Sequence, residues 1–165
     1  MAEFMDQNQE VAILCPKFQY INGECQPLNR RYPTVFDLFL RRLESLQAIP
    51  AFKKRVNYYS MIDIGYDDIC DVPFVSGAFM FCRTTALKQV SGFDERFFLY
   101  FEDTDLSRKL KNKGYKIVYL PSAKMVHLHR RESADSGVLK SLFSKTTRIH
   151  ILSAMKYFWK YRNSI

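Results

Sequence analysis

Carboxylates crowd one stretch of this sequence: Asp94-Glu95, then Glu102-Asp103, then Asp105, with the aromatic run Phe97-Phe98-Leu99-Tyr100-Phe101 between them. A carboxylate can take a proton from a hydroxyl or hold that hydroxyl by hydrogen bonding, which is general-base chemistry. The same acids ahead of a helix cap free N–H groups and complement the helix dipole, and that role needs no ligand. The local sequence leaves both readings open, and capping is the commoner. His127 sits on an apolar strand with His129 two residues on; by pattern alone such a histidine is packed or hydrogen bonded. Gly77-Ala78 follows the start of an apolar run, where a glycine lets a neighbour or a ligand come close. Arg30-Arg31 has the chemistry to meet a phosphate, and a solvated surface pair has the same letters. Cys15, Cys25, Cys70 and Cys82 form no CxxC pair, so reduced structural thiols are expected rather than a zinc site.

The elements that must position these groups follow from periodicity and punctuation. Residues 11–16 read as a buried strand. Asn22-Gly23, flanked by residues 18–20 and 24–26, reads as a tight hairpin turn. Pro33 precedes an apolar spacing that predicts an amphipathic helix over 34–46, whereas residues 48–71 lose the pattern and read as a loop around Gly65. A strand is expected over 78–82 and a short helix over 86–90. A helix follows the acidic cluster, with acids first, lysines last and Gly114 closing it. Two strands, 116–120 and 124–129, are expected either side of Pro121-Ser122. A final basic helix carries the apolar stripe Ile149, Leu152, Met155, Phe158 and Trp159.

Taken together the segments resemble a known family. Val75-Ser76-Gly77-Ala78-Phe79-Met80, Arg83, and Gly92-Phe93-Asp94-Glu95-Arg96-Phe97-Phe98-Leu99-Tyr100 precede Glu102-Asp103-Thr104-Asp105-Leu106. Gly114-Tyr115, Pro121 and Val126-His127-Leu128-His129 follow in order. From about residue 11 to 129 this train resembles the C-terminal half of bacterial family 2 glycosyltransferases of GT-A type, the rhamnosyltransferase-like group in particular. The resemblance implies Asp103 as the general base that deprotonates the acceptor hydroxyl in an inverting transfer, with Glu102 and Asp105 orienting it or holding hydroxyls. It implies substrate contacts at Gly77, Ala78, Asp94, Glu95, Arg30 and Arg31. It places His127 near the divalent metal, Mg²⁺ or Mn²⁺, and the leaving diphosphate, with His129 a weaker candidate.

The resemblance also frames the domain organisation: a frayed start over 1–10, the C-terminal half of a GT-A domain over 11–135, and a basic amphipathic helical segment over 136–165. The expected fold is α/β, a partial GT-A fold with a mixed sheet flanked by helices, lacking the N-terminal nucleotide-binding half and its Asp-x-Asp metal motif. Such a chain is expected to be inactive alone, and three origins stay open: a truncated fragment, a split enzyme whose donor-binding half is a separate chain, or a degenerate product kept for another use. The complete enzyme is expected to take a nucleotide sugar and a glycan or lipid-linked acceptor. The expected setting is cell-surface polysaccharide synthesis. The alternative is a non-catalytic glycan- or partner-binding module derived from such an enzyme.

Composition bounds the rest. With 165 residues, 47% hydrophobic and 25% charged, the chain has the make-up of one globular domain. Neither a membrane-spanning run nor a signal peptide is legible, so a cytoplasmic location is expected. The net charge of +8 is concentrated at the end: residues 137–165 contain Lys140, Lys145, Arg148, Lys156, Lys160 and Arg162 and no acid. That asymmetry points to an anionic partner. No finger, RNP or helix-turn-helix signature accompanies it, so nucleic acid is disfavoured, and the inner face of a membrane fits better.

Overall fold

A computed structural model describes residues 1–43, 46, 48–128 and 144–163. The centre is a four-stranded mixed sheet whose long strands, β1 (Val11–Gln19) and β6 (Lys116–Val126), run parallel side by side. Short antiparallel strands flank them, β3 (Cys70–Asp71) on β6 and β5 (Phe81–Cys82) on β1. Both long strands alternate across the sheet, as a two-residue period requires. Ile13, Cys15, Ile117 and Tyr119 face a core that includes Ala86, Leu106 and Leu110. Leu14, Val118 and Leu120 face the opposite way, onto Met5. The helices over these faces are α1 (Ala2–Gln7), α2 (Val35–Arg42), α3 (Pro50–Tyr59), α4 (Thr84–Gln89), α5 (Glu102–Asn112) and α6 (Lys145–Lys160). The molecule is thus α/β, a mixed sheet flanked by helices, as a partial GT-A fold should be.

Several elements depart from the sequence expectation, each for a physical reason. Residues 1–10 are not frayed: α1 buries Met5, and the Arg83 guanidinium ties it down by donating to Met5 O, Asn8 O and Val11 O. Residues 48–71 are not a loop: they hold α3, a turn of 3₁₀ helix (Ile62–Ile64) and β3. Helix α3 has little amphipathic pattern of its own and is clamped from α2, where Asp37 accepts both Arg55 Nε at 2.6 Å and Arg55 Nη2 at 2.8 Å. Pro121-Ser122 does not split the last strand; β6 absorbs residues 121–123 as an irregularity opposite the Pro16–Lys17 step. The expected strand over 78–82 shortens to Phe81–Cys82, leaving Gly77 and Ala78 exposed.

The helix expected over 34–46 is present as α2 over Val35–Arg42, and the sequence reading missed its cap: Thr34 forms a reciprocal box with Asp37. Other expectations hold. Gly23, at φ 84°, closes the hairpin between Tyr20 and Glu24, and Gly114, at φ 87°, ends α5. The four cysteines are free, and burial pushes the Cys15 thiol up to about 12, so it is inert at neutral pH.

Candidate active site

The site is built where a two-stranded ribbon meets the start of α5. Strand β2 (Asn29–Arg30) pairs antiparallel with β4 (Phe74–Val75), which delivers Ser76-Gly77 to the surface. The chain enters α5 through two successive left-handed residues, Tyr100 at φ 66° and Phe101 at φ 68°. Neither is glycine, so the turn is strained and must be held by packing. The hold comes from α6: the Tyr100 ring meets His150 edge-on, Phe101 packs on Tyr157, and Ser153 Oγ donates to Leu99 O at 2.8 Å.

That abrupt entry turns the first residues of α5 to opposite sides. Asp103 faces β4: its Oδ2 accepts the Gly77 N–H at 2.9 Å and its Oδ1 accepts Thr104 N–H at 2.7 Å. It forms no ion pair among the described residues. Glu102 lies beside it; a methyl group added at Gly77 would sit 3.6 Å from Asp103 Cβ and 3.8 Å from Glu102 Oε1. Both are ordinary contact distances, so what the glycine provides is open room over two carboxylates. Glu102 Oε2 is buried without a hydrogen-bond partner among the described residues. Burial raises the Glu102 carboxyl, its own backbone N–H opposes this, and the Asp103 charge adds to the rise.

Arg30 joins this group at longer range. Its guanidinium is half-buried, donates to Pro27 O and to Asn29 O, and lies in the field of Asp103. Burial and the nearby Arg41 charge hold it below the usual guanidinium range. Tyr59, buried, collects both Arg30 and Arg41 against its ring, at 5.8 and 5.5 Å from the centroid. Tyr59 and Arg41 were not singled out from the sequence, because they come from α2 and α3 and nothing local links them to Asp103.

The remaining predicted site residues lie elsewhere. Asp105 is fully buried: its Oδ1 accepts Lys160 Nζ at 2.6 Å and the Tyr161 hydroxyl at 2.8 Å. Asp94 accepts Lys160 Nζ at 2.8 Å and is forked by Arg96, whose hydrogen bonds, against the effect of burial, hold its carboxyl well below the usual range. Asp94 and Asp105 are therefore ligands of the C-terminal helix, and Asp105 offers no surface to an acceptor. Glu95 is exposed. Arg31 donates to Tyr58 O in α3 and to Asp63 Oδ1 in the 3₁₀ turn at 2.6 Å. His127 continues the β6 ladder, with its Nδ1 3.0 Å from Gln26 Oε1 and its ring edge-on to Phe18. Among the described residues no three His, Cys, Asp or Glu side chains converge as a metal site. His129 lies outside the described residues.

Long-range partners explain what the sequence concealed. Arg108, buried in α5, donates to the Tyr157 hydroxyl at 3.0 Å and stacks over Tyr32, Tyr157 and Tyr161. Together with Lys160 it fastens α6 to α5, across about fifty residues of chain.

Comparison with known proteins agrees with this architecture. Residues 2–161 match the family described as Glycosyl transferase family group 2. The N-acetylglucosaminyl-diphospho-decaprenol L-rhamnosyltransferase of Mycobacterium tuberculosis (strain H37Rv) is 36% identical over 91 residues, 54% of this chain and 29% of that protein. Rhamnosyltransferase WbbL of Escherichia coli (strain K12) is 25% identical over 133 residues, 81% of this chain and 44% of that protein. The pre-mycofactocin glycosyltransferase of Mycobacterium tuberculosis (strain H37Rv) is 33% identical over 90 residues, 52% of this chain and 19% of that protein. The chain spans less than half the length of these curated relatives. No solved structure gives a significant match. The chain belongs to glycosyl transferase family group 2.

Proposed function

We propose that this family 2 chain supplies the acceptor side and the catalytic base of an inverting sugar transfer, with Asp103 as the base. The carrying observation is the contrast in partners. Among the described residues Asp103 is held by N–H and hydroxyl donors alone, at an exposed glycine rim, while Asp94 and Asp105 are neutralised by cations. A carboxylate fixed at a helix start and not ion-paired is free to accept a proton.

In this reading the acceptor hydroxyl lies over Gly77 and gives its proton to Asp103 as its oxygen attacks the anomeric carbon. The bond from that carbon to the diphosphate breaks on the opposite face, and configuration inverts. Glu102, beside Asp103, holds or orients the hydroxyl, and the exposed Phe98 ring, 86% accessible, is a surface on which a sugar can stack. The Gly77 N–H fixes the oxygen geometry of the base. A divalent cation on the donor diphosphate, supplied with the donor-binding part, would neutralise the leaving group. By kinship with the rhamnosyltransferases the donor is a nucleotide-linked L-rhamnose and the acceptor a lipid-linked N-acetylglucosaminyl diphosphate, in a step that builds cell-surface polysaccharide.

The test is to join the chain to the donor-binding part of a rhamnosyltransferase relative and follow the product anomer by NMR. Inverted product is expected. Retained configuration, or no transfer by a folded fusion whose donor part still binds nucleotide sugar, would defeat the reading.

A further inference from the structure

Helix α6 has two faces of different character. One is consumed by the fold: Ala154, Tyr157 and Tyr161 are buried, and Ser153, Lys156 and Lys160 bond inward. On the other side Ile151, Leu152, Met155 and Trp159 are 48%, 55%, 64% and 71% exposed. Residues 151, 155 and 159 recur every four positions with Leu152 beside them, so they form a single stripe. The sequence pattern alone allows that such a stripe packs on the domain. Among the described residues a different face of α6 does the packing.

Charge indicates what covers the stripe. No acid occurs in residues 137–165. Arg148 falls within the same arc of the helix, Lys145 stands at its N-terminal end, and Arg162 lies two residues beyond its C-terminal end. The Arg162 guanidinium lies 4.5 Å from the Trp159 ring centroid, so cation and indole are presented together. An acid-free apolar stripe that contains a tryptophan and is framed by Lys and Arg is the composition of a helix lying in a bilayer interface. At 16 residues, α6 is shorter than the roughly 20 needed to span one, and no helix among the described residues is long and apolar enough to cross a membrane.

We propose that α6 docks this chain on an anionic lipid bilayer surface. It lies in the interface plane, with Ile151, Leu152, Met155 and Trp159 at the acyl boundary and Lys145, Arg148 and Arg162 at the headgroups. The contact holds whether or not the chain transfers sugar.

Trp159 is the only tryptophan in the chain, so its fluorescence reads this face directly. Adding vesicles of phosphatidylcholine with about one-third phosphatidylglycerol should shift the emission to the blue, and brominated acyl chains should quench it. Pure phosphatidylcholine should bind more than about tenfold more weakly, and added salt should weaken the anionic case. The double variant Leu152→Ser/Met155→Ser, altered only at exposed positions, should keep the melting curve and lose more than about tenfold in partitioning. Emission unmoved by anionic vesicles would overturn the proposal, as would full binding by the double variant. A blue shift that follows protein concentration without lipid, with a dimer in sedimentation, would assign the stripe to a second copy instead.

Discussion

Two groups of carboxylates lie within one short segment and face opposite ways. Asp94 and Asp105 point to α6 and are closed off by Lys160, Arg96 and the Tyr161 hydroxyl. Glu102 and Asp103 point to Gly77, and among the described residues Asp103 meets only N–H and hydroxyl donors. The residue types are the same, and so is the nearby helix N-terminus. What differs is the supply of cations from another element. A carboxylate that the fold neutralises is part of the structure, and one that the fold positions without neutralising is available for chemistry.

The comparison can be broken from its structural side first. Asp105→Ala leaves Lys160 with one carboxylate and strips the Tyr161 hydroxyl of its acceptor in a buried setting. It should cost about 3 kcal/mol of stability in denaturant titration; a loss below about 0.5 kcal/mol would show that the inner pair does not hold α6. Arg108→Met removes the Tyr157 bond and the aromatic contacts of the guanidinium, and should cost about 2 kcal/mol, read in the same titration.

Acid provides a subtler break. The Asp94 carboxyl is lowered in the folded protein, chiefly by Arg96 and also by Lys160, against opposing desolvation. Its contribution is therefore complete above the ordinary carboxylate range of about 4 and is lost as pH falls below that through the depressed folded value. Melting temperatures should drop below about pH 4, and the combined Arg96→Met and Lys160→Met variant should show a flatter fall. An equally steep fall would remove Asp94 from the account.

Glu102 has the opposite sign. Burial raises its carboxyl in the folded state, so its ionisation opposes folding as pH rises past the ordinary value of about 4.3. Glu102→Gln should match the parent below that pH and be slightly more stable at pH 7, the smallest of these effects. A destabilised Gln variant at pH 7 would mean that Glu102 makes a bond its charge is needed for.

Much of this was legible in the sequence. Pro33 announced the start of α2, Asn22-Gly23 the hairpin, and Gly114 the end of α5, because turns and caps are local chemistry. The family resemblance put Asp103 and Gly77 in the same site, but their contact was not legible, since β4 and α5 meet across 26 residues. The partition of the acids was hidden, because Lys160 and Tyr161 reach Asp105 from 55 and 56 residues away. Helix α3 was hidden too, being stabilised by a bidentate ion pair from α2 rather than by its own pattern. The apolar stripe of α6 was visible while its orientation was not: Tyr157 and Tyr161 took the inner face, with Ala154 beside them, because the two tyrosine rings meet Phe101 and Arg108.

The central claim is that Asp103, and not Asp105, is the carboxylate left free to work. It is tested most directly by Asp103→Asn in the chain joined to a donor-binding part, with turnover and thermal unfolding measured on the same sample. The account predicts a fall in turnover of about 1,000-fold or more with stability changed by less than about 0.5 kcal/mol. Undiminished turnover, or a loss of activity that only follows unfolding, would contradict it.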